Sequence, residues 1–292
     1  MSVFHFFLML LVVIVWGFNF VSVEVALQGM KPITLCFVRF FLLCFPAIFF
    51  VKRPSTAFGI IIGYAFFLFV LQFSLLFAGM HAGVSAGLTS ILLQFQMFFT
   101  VLFAVLFLKE KPHIWQIVGG VVAFAGIAVI GFNIGGHGSF LGFALILTAA
   151  ASWGFGNLFA KKLGKINMIS MLIWASLISW PPLLIMALFF EGPESMLADF
   201  NALSWKTTAA ILYIVLGSTL LGYGLWSWLL SRYPVTTIVP FTVLVPVFGM
   251  LSSVLVLGES LDSWKLTAGL LIIGGFCINL WMPQQSGRQQ IR

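Results

Sequence analysis

The residues FHFFLMLLVVIVWGFNFVSVEVAL, at positions 4–27, form an apolar run that contains a single charged side chain, Glu24. A membrane-spanning helix needs about 20 mostly apolar residues, so this run is long enough to cross a bilayer. No Lys or Arg precedes the run, it is too long for the core of a signal peptide, and no clear cleavage site follows it. We therefore predict that it is a retained first transmembrane helix.

The composition extends this interpretation to the whole chain of 292 residues, of which 62% are hydrophobic and 7% are charged. A soluble domain carries about 25% charged residues, so this chain has too few charges for a surface that faces water. The composition excludes a secreted disulfide-bonded domain, a cytosolic enzyme and a disordered chain. The three cysteines lie inside apolar runs at no metal-binding spacing, which predicts neither a disulfide framework nor a zinc site.

Ten apolar runs are separated by Gly, Pro and charged residues, and they predict an all-α polytopic membrane protein with ten transmembrane helices. The predicted spans are 4–27, 33–51, 58–80, 84–107, 114–132, 139–160, 168–190, 207–230, 235–257 and 264–282. Lys and Arg are enriched in cytoplasmic loops. If the N-terminus is cytoplasmic, ten of these residues fall in cytoplasmic loops and three in outer loops, so we place both termini in the cytoplasm. This pattern also explains the net charge of +7 without a nucleic-acid partner.

Two motifs occur twice, at the same place in the order of the spans. Trp16-Gly17-Phe18 in the first span returns as Trp153-Gly154-Phe155 in the sixth, and Glu110 after the fourth span returns as Glu259 after the ninth. We therefore predict two homologous halves of five spans each and a cytoplasmic tail, at residues 1–132, 139–282 and 283–292. Because five is odd, the second half must cross the membrane in the opposite orientation. Inverted repeats are typical of secondary transporters, whose substrate site lies near mid-membrane between the halves.

Several features occur in a fixed order along the chain: Trp16-Gly17-Phe18-Asn19-Phe20-Val21 in the first span, Arg39-Phe40 in the second, and Glu110 and Glu259 after the fourth and ninth. In these features the sequence resembles the EamA branch of the drug/metabolite transporter superfamily. The resemblance implies a bundle of two five-helix repeats around a central cavity. The family often carries Lys at the position of Glu24, whereas the equivalent position in the second half, Lys161, keeps the base.

Within that branch, four further stretches are similar to the bacterial exporters of O-acetylserine and cysteine, namely residues 86–90, 93–96, 156–162 and 222–226. This resemblance implies export of small amino-acid-like metabolites across the inner membrane. A multidrug exporter, or an exporter of other metabolites from the same superfamily, is the alternative. A multidrug exporter would need a wide aromatic cavity and an essential acidic residue, for which Glu24 is the candidate.

Two charged side chains, Glu24 and Arg39, lie well inside predicted spans. A charge at bilayer depth costs several kcal/mol unless it is paired or hydrated, so each is a candidate for function. Both are predicted within about 10 Å of the outer face, where they could meet. One hypothesis is that Arg39 holds a substrate carboxylate while Glu24 attracts an ammonium group or carries a proton. The alternative is a structural ion pair, or two side chains that reach separately to the interface.

Polar and aromatic side chains that share a helix face are the other candidates for substrate binding. Trp16 and Asn19 lie three residues apart in the first span, and Trp153 and Asn157 lie four apart in the sixth. An aromatic ring beside an amide suits a small zwitterion, although packing between helices explains the pairs equally well. Between Gln94 and Gln96, which point to different sides of a regular helix, we favour Gln94. The remaining candidates are Gln72, Tyr223 and Trp226.

Pro240 and Pro246 interrupt the ninth span and predict a kinked gate element, or else a packing kink. Small residues at 119, 123 and 126 and at 268, 269 and 275 predict close helix contacts, either within the chain or in a dimer, so the protein is a monomer or a homodimer. We find no catalytic arrangement, no metal site and no cofactor motif in the sequence. The expected partners are a small polar metabolite and the lipid bilayer.

Overall fold

The computed structural model describes residues 2–133, 139–164, 166–233 and 235–289, apart from the side chains of residues 235, 236, 239, 240 and 280–289. Every regular element in this part of the chain is a helix, which confirms the all-helical prediction. Eight of the described helices are long and apolar enough to span a membrane. They are α1 (Val3–Leu27), α2 (Pro32–Phe49), α3 (Phe58–His81), α4 (Ala86–Leu108), α5 (Ile114–Asn133), α6 (Phe140–Lys161), α7 (Met168–Phe190) and α8 (Trp205–Arg232). They are followed by α9 (235–257) and α10 (Ser263–Gln289), whose apolar parts are shorter, Phe241–Leu257 and Ser263–Asn279.

Polar residues at the ends of the apolar runs satisfy the free N–H groups of the first helical turns. The Ser139 hydroxyl accepts from Gly142 N–H at 2.9 Å at the start of α6, and the Asn167 side chain accepts from Ile169 and Ser170 N–H at the start of α7. Pro32 stands in the first turn of α2, where a missing N–H costs nothing. These caps explain why the helices begin where they do.

The structure departs from the predicted spans in three places, one of which is the end of α10, which continues to Gln289 instead of ending at residue 282. The regular part of α2 ends at Cys44 rather than at residue 51, because a residue before proline, here Phe45, avoids the α conformation, and a short 3₁₀ turn (Ala47–Phe49) completes the span. Between α7 and α8 the chain forms a helix, Pro193–Asn201, where the sequence predicted only a loop. That helix has Pro193 in its first turn and is too polar and too short to cross a bilayer.

Irregular turns interrupt α3, α4, α8 and α9, and a further π-helical segment, Ser253–Leu257, ends α9. A π-helical segment occurs in α3 (Phe66–Leu71) and in α8 (Tyr213–Leu221). A 3₁₀ segment occurs in α4 (Leu93–Phe95) and in α9 (Val239–Val243). Such interruptions of an α-helix are frequently found at functional sites.

The glycines of the two Trp-Gly-Phe motifs lie at matching helix contacts. In α1, a Cβ atom on Gly17 would come within 2.6 Å of Phe248 Cβ and 2.9 Å of Gly249 N on α9. In α6, a Cβ atom on Gly154 would come within 2.7 Å of Phe99 Cβ and 2.8 Å of Thr100 N on α4. The motif therefore recurs because both helices pack backbone to backbone against their neighbours, which only glycine permits.

Two pairs of helices pack side by side in opposite directions. In the pair α5–α10, Gly119 opposes the carbonyl of Gly275, and seven residues further along α5 Gly126 opposes the carbonyl of Ala268, seven residues earlier on α10. The predicted small-residue stripes therefore make a contact within the chain. In the pair α2–α7, the first turn of α2 lies at the end of α7, where Glu191 accepts from Ile33 N–H at 2.7 Å.

Candidate functional site

A cavity of about 470 Å³ lies in the middle of the bundle, with walls from α1, α2, α3, α4, α6, α8, α9 and α10. Of the ten side chains that the sequence predicts for substrate binding, eight line it: Trp16, Asn19, Arg39, Gln94, Trp153, Asn157, Tyr223 and Trp226. Sequence spacing had placed these residues only on their own helix faces. The fold brings the faces together around one space.

Arg39 is the charged group of this wall. Its side chain is 3% exposed, and its guanidinium lies 4.1 Å from the centre of the Phe73 ring. Its Nη2 donates to Thr219 Oγ1 at 3.1 Å, while Thr219 donates to the carbonyl of Ile214. Within the described residues Nε and Nη1 have no hydrogen-bond partner, and the cavity lining contains no acidic side chain. A buried guanidinium with unused donors is costly, and a carboxylate is the group that best satisfies it.

Aromatic rings and an amide lie beside Arg39 in the same cavity. The Trp16 ring centre is 5.3 Å from that of Tyr223 and 5.1 Å from that of Trp226, and its Nε1 donates to the carbonyl of Ser218 at 3.1 Å. One helical turn along α1 from Trp16, Asn19 Oδ1 is buried without a hydrogen-bond partner in the described part of the chain. This part of the cavity wall thus combines a cation, an aromatic surface and a buried amide oxygen that has no partner among the described residues.

A polar network occupies the wall formed by α4 and α6. Asn157 Nδ2 donates to Gln96 Oε1 at 3.2 Å and to Thr100 Oγ1 at 2.9 Å, and all three residues line the cavity. Gln96 is a lining residue that sequence reasoning missed, because it assumed a regular α-helix. The 3₁₀ turn Leu93–Phe95 winds more tightly, about 120° per residue, so Gln94 and Gln96 both reach the cavity.

Gln94 is tied to α9 by a hydrogen bond from its Nε2 to the carbonyl of Thr242 at 3.2 Å. Pro246 stands four residues after Thr242 and has no N–H for that carbonyl, so Gln94 replaces the missing helical donor. Pro246 itself is buried and does not line the cavity, whereas its neighbours Thr242 and Val245 do. The side chain of Pro240 lies outside the described residues, so the gate assigned to the two prolines stays a prediction.

Two predicted residues, Gln72 and Glu24, are absent from the cavity lining. Gln72 is 1% exposed in α3. Glu24 and Arg39 do not meet: in the described part of the chain the ion pairs are Lys161–Glu110 and Lys265–Asp262. Glu24 lies about three residues from the end of α1 and Arg39 about seven from the start of α2, which puts them about 6 Å apart in depth.

The acids that follow α4 and α9, Glu110 and Glu259, make contacts at helix ends. Glu110 forms an ion pair with Lys161 at the end of α6. Glu259 accepts hydrogen bonds from the Ser253 hydroxyl and, at 3.4 Å, from Gly87 N–H at the start of α4. The Glu259 carboxylate also acts electrostatically on Glu24, whose Oε2 is buried without a hydrogen-bond partner within the described residues.

Comparisons with known proteins cover nearly the whole chain. The model of the EamA-like transporter family matches twice, over residues 3–132 and 140–281. A protein of Salmonella typhimurium strain LT2, named a probable amino-acid metabolite efflux pump, is 38% identical over 94% of this chain and 94% of its own. A protein of Escherichia coli K12 with the same name is 37% identical over the same shares. A crystal structure at 14% identity covers 98% of this chain and 99% of its own with a TM-score of 0.67, a likeness of fold alone.

Proposed function

Because this chain belongs to the EamA-like transporter family, we propose that it is a secondary transporter that exports small amino-acid-like metabolites, of the cysteine and O-acetylserine class, across the bacterial inner membrane. Membrane embedding and a small-molecule substrate follow from the family. The two relatives named as probable amino-acid metabolite efflux pumps support the substrate class. Transport is driven by a gradient of an ion or of a substrate.

The transporter consists of two five-helix halves that cross the membrane in opposite orientations, with both chain ends in the cytoplasm. The two matches to one family model support two homologous halves. The corresponding contacts of Gly17 and Gly154 and the paired irregular turns support the same division. Opposite orientation is supported by α5–α10 and α2–α7, since helices in corresponding places of inverted halves must run antiparallel. Transport proceeds by rocking of the halves around the central cavity.

The unpaired guanidinium of Arg39 is the observation that carries the substrate assignment. In this proposal Arg39, which lines the cavity, binds the carboxylate. Its Nε and Nη1 have no hydrogen-bond partner among the described residues and are buried, so binding requires a small movement of the side chain. The ammonium group lies near Asn19 Oδ1 and the Trp16 ring, which offer an acceptor and a π surface. Since the lining described contains no acidic side chain, the cavity suits a zwitterion or an anion better than a cationic drug, which argues against the multidrug alternative.

Counter-flow in proteoliposomes tests this function. Vesicles loaded with unlabelled cysteine or O-acetylserine are diluted into the labelled compound, and the expected result is transient accumulation that saturates with concentration. Cysteamine, which is cysteine without its carboxylate, is the matched control and is expected not to compete. Absence of counter-flow for these compounds and for a broad amino-acid panel would remove the function, and equal competition by cysteamine would remove the role of Arg39.

A further inference from the structure

Hydrogen bonds between α4 and α6 fix the orientation of the Asn157 amide. Thr100 Oγ1 donates to the main-chain carbonyl of Gln96 at 2.7 Å, and it accepts from Asn157 Nδ2. Asn157 gives its second amide hydrogen to Gln96 Oε1. The Asn157 amide has two hydrogens, so both are used, and its orientation is set by two acceptors on a neighbouring helix.

Two polar atoms of this network have no hydrogen-bond partner among the described residues, and both belong to residues that line the central cavity. Asn157 Oδ1 accepts no hydrogen bond from any described residue, and Gln96 Nε2 donates none to any described residue. Both residues line the cavity that also contains Arg39. The wall therefore presents one acceptor and one amide donor, both uncharged, at a place fixed by Thr100. Arg39 belongs to a different part of the wall, on α2, where it contacts α3 and α8.

We propose that Gln96 and Asn157 are specificity-determining residues that select substrates with a short, uncharged side chain able to form hydrogen bonds. This inference rests on the proposed function, because Arg39 must hold the carboxylate for the side chain to reach the network. A hydroxyl or a thiol can donate to Asn157 Oδ1 and accept from Gln96 Nε2, and an ester oxygen can accept from Gln96 Nε2. An aliphatic side chain of the same size displaces water without replacing its hydrogen bonds, and leaves the pair unsatisfied.

Serine and 2-aminobutyrate provide the matched test, because they differ only by exchange of a hydroxyl for a methyl group. Each competes against labelled cysteine in counter-flow, and the ratio of their half-inhibitory concentrations measures selectivity. A net hydrogen bond contributes about 0.5–1.5 kcal/mol, so the wild-type protein is expected to prefer serine by about 2- to 13-fold. The variants Gln96→Met and Asn157→Leu are expected to lower this preference to nearly 1.

Two further variants keep the result decisive. Met97→Leu changes an apolar lining residue next to Gln96 and is expected to keep the wild-type ratio. Thr100→Val exchanges a hydroxyl for a methyl group, frees the Asn157 amide to rotate and is expected to give an intermediate ratio, which tests the inference if the larger replacements fail to fold. An unchanged ratio in Gln96→Met, Asn157→Leu and Thr100→Val, with counter-flow intact, would overturn the inference and leave the proposed function standing. Absence of counter-flow in the wild-type protein would overturn both.

Discussion

Arg39 holds a charge in a wall that gives it only one hydrogen-bond acceptor among the described residues, Thr219, and the faces of Phe73 and Phe40. Desolvation of a guanidinium costs several kcal/mol. The cation–π interactions with Phe73 and Phe40 offset only part of this cost. The native protein therefore carries an unfavourable contribution to its stability at the place where a substrate anion would relieve it.

The variant Arg39→Met tests this contribution. Replacement of a buried charge by an apolar side chain of similar length is expected to leave the unfolding free energy unchanged or to raise it by about 1–4 kcal/mol. Thermal unfolding in detergent measures this change. Counter-flow is expected to be lost. Arg53→Met, at an exposed loop position, is the control and is expected to change neither. A large loss of stability in Arg39→Met would instead show that the arginine holds the bundle together.

The sequence reveals single side chains such as Arg39 and Asn157 because a charge or an amide stands out in an apolar run. It does not reveal that Arg39 and Glu24 form no ion pair, or that Gln96 joins Gln94 at the cavity. Those facts depend on contacts between helices and on one 3₁₀ turn, and the pattern of hydrophobic residues in a single helix carries neither.

Helix contacts in this chain are made where side chains are absent. Gly119 and Gly275 face each other in the pair α5–α10, and a Cβ atom on either would lie 2.4 Å from the other's carbonyl oxygen. The sequence indicates such stripes but leaves open whether a second chain fills them. The structure shows α5 against α10, so the stripe is used within the chain.

Two neighbouring glycines of α10 separate packing from backbone effects. Gly275→Ala is expected to destabilise the protein by about 1–3 kcal/mol, because its Cβ atom meets a carbonyl that cannot rotate away. Gly274→Ala is expected to be neutral or stabilising by up to about 1 kcal/mol, because its Cβ atom meets nothing within 4 Å and alanine favours a helix. Thermal unfolding in detergent measures both, and equal midpoints would contradict the packing described.

The ends of α1 and α6 differ in charge although their motifs match. Lys161 on α6 pairs with Glu110, whereas Glu24 on α1 is buried close enough to Glu259 for the two carboxylates to interact electrostatically. Glu24→Lys is therefore expected to form the missing ion pair and to stabilise the protein by about 0.2–1 kcal/mol relative to Glu24→Gln, which removes the repulsion alone. A lower unfolding midpoint for Glu24→Lys than for Glu24→Gln would contradict this correspondence.

At the scale of the whole molecule, the proposed transporter has two halves that cross the membrane in opposite directions. The resemblance to the EamA branch, inferred from the order of the motifs, is confirmed by the family match. The inverted arrangement is supported by the odd number of helices in each half, five, and by the antiparallel pairs α2–α7 and α5–α10. The sequence indicates the odd number of spans in each half. It does not indicate that α2 packs against α7 and α5 against α10, because the choice of packing partner is a property of the folded chain.

Thiol labelling at two corresponding loops tests the inverted arrangement most directly. Single cysteines replace Ser55, after α2, and Glu194, after α7, both exposed, in a background without Cys36, Cys44 and Cys277. A membrane-impermeant reagent is expected to modify the cysteine at position 194 in intact cells and the one at position 55 only after the membrane is opened. Modification of both positions from the same side would contradict the inverted arrangement.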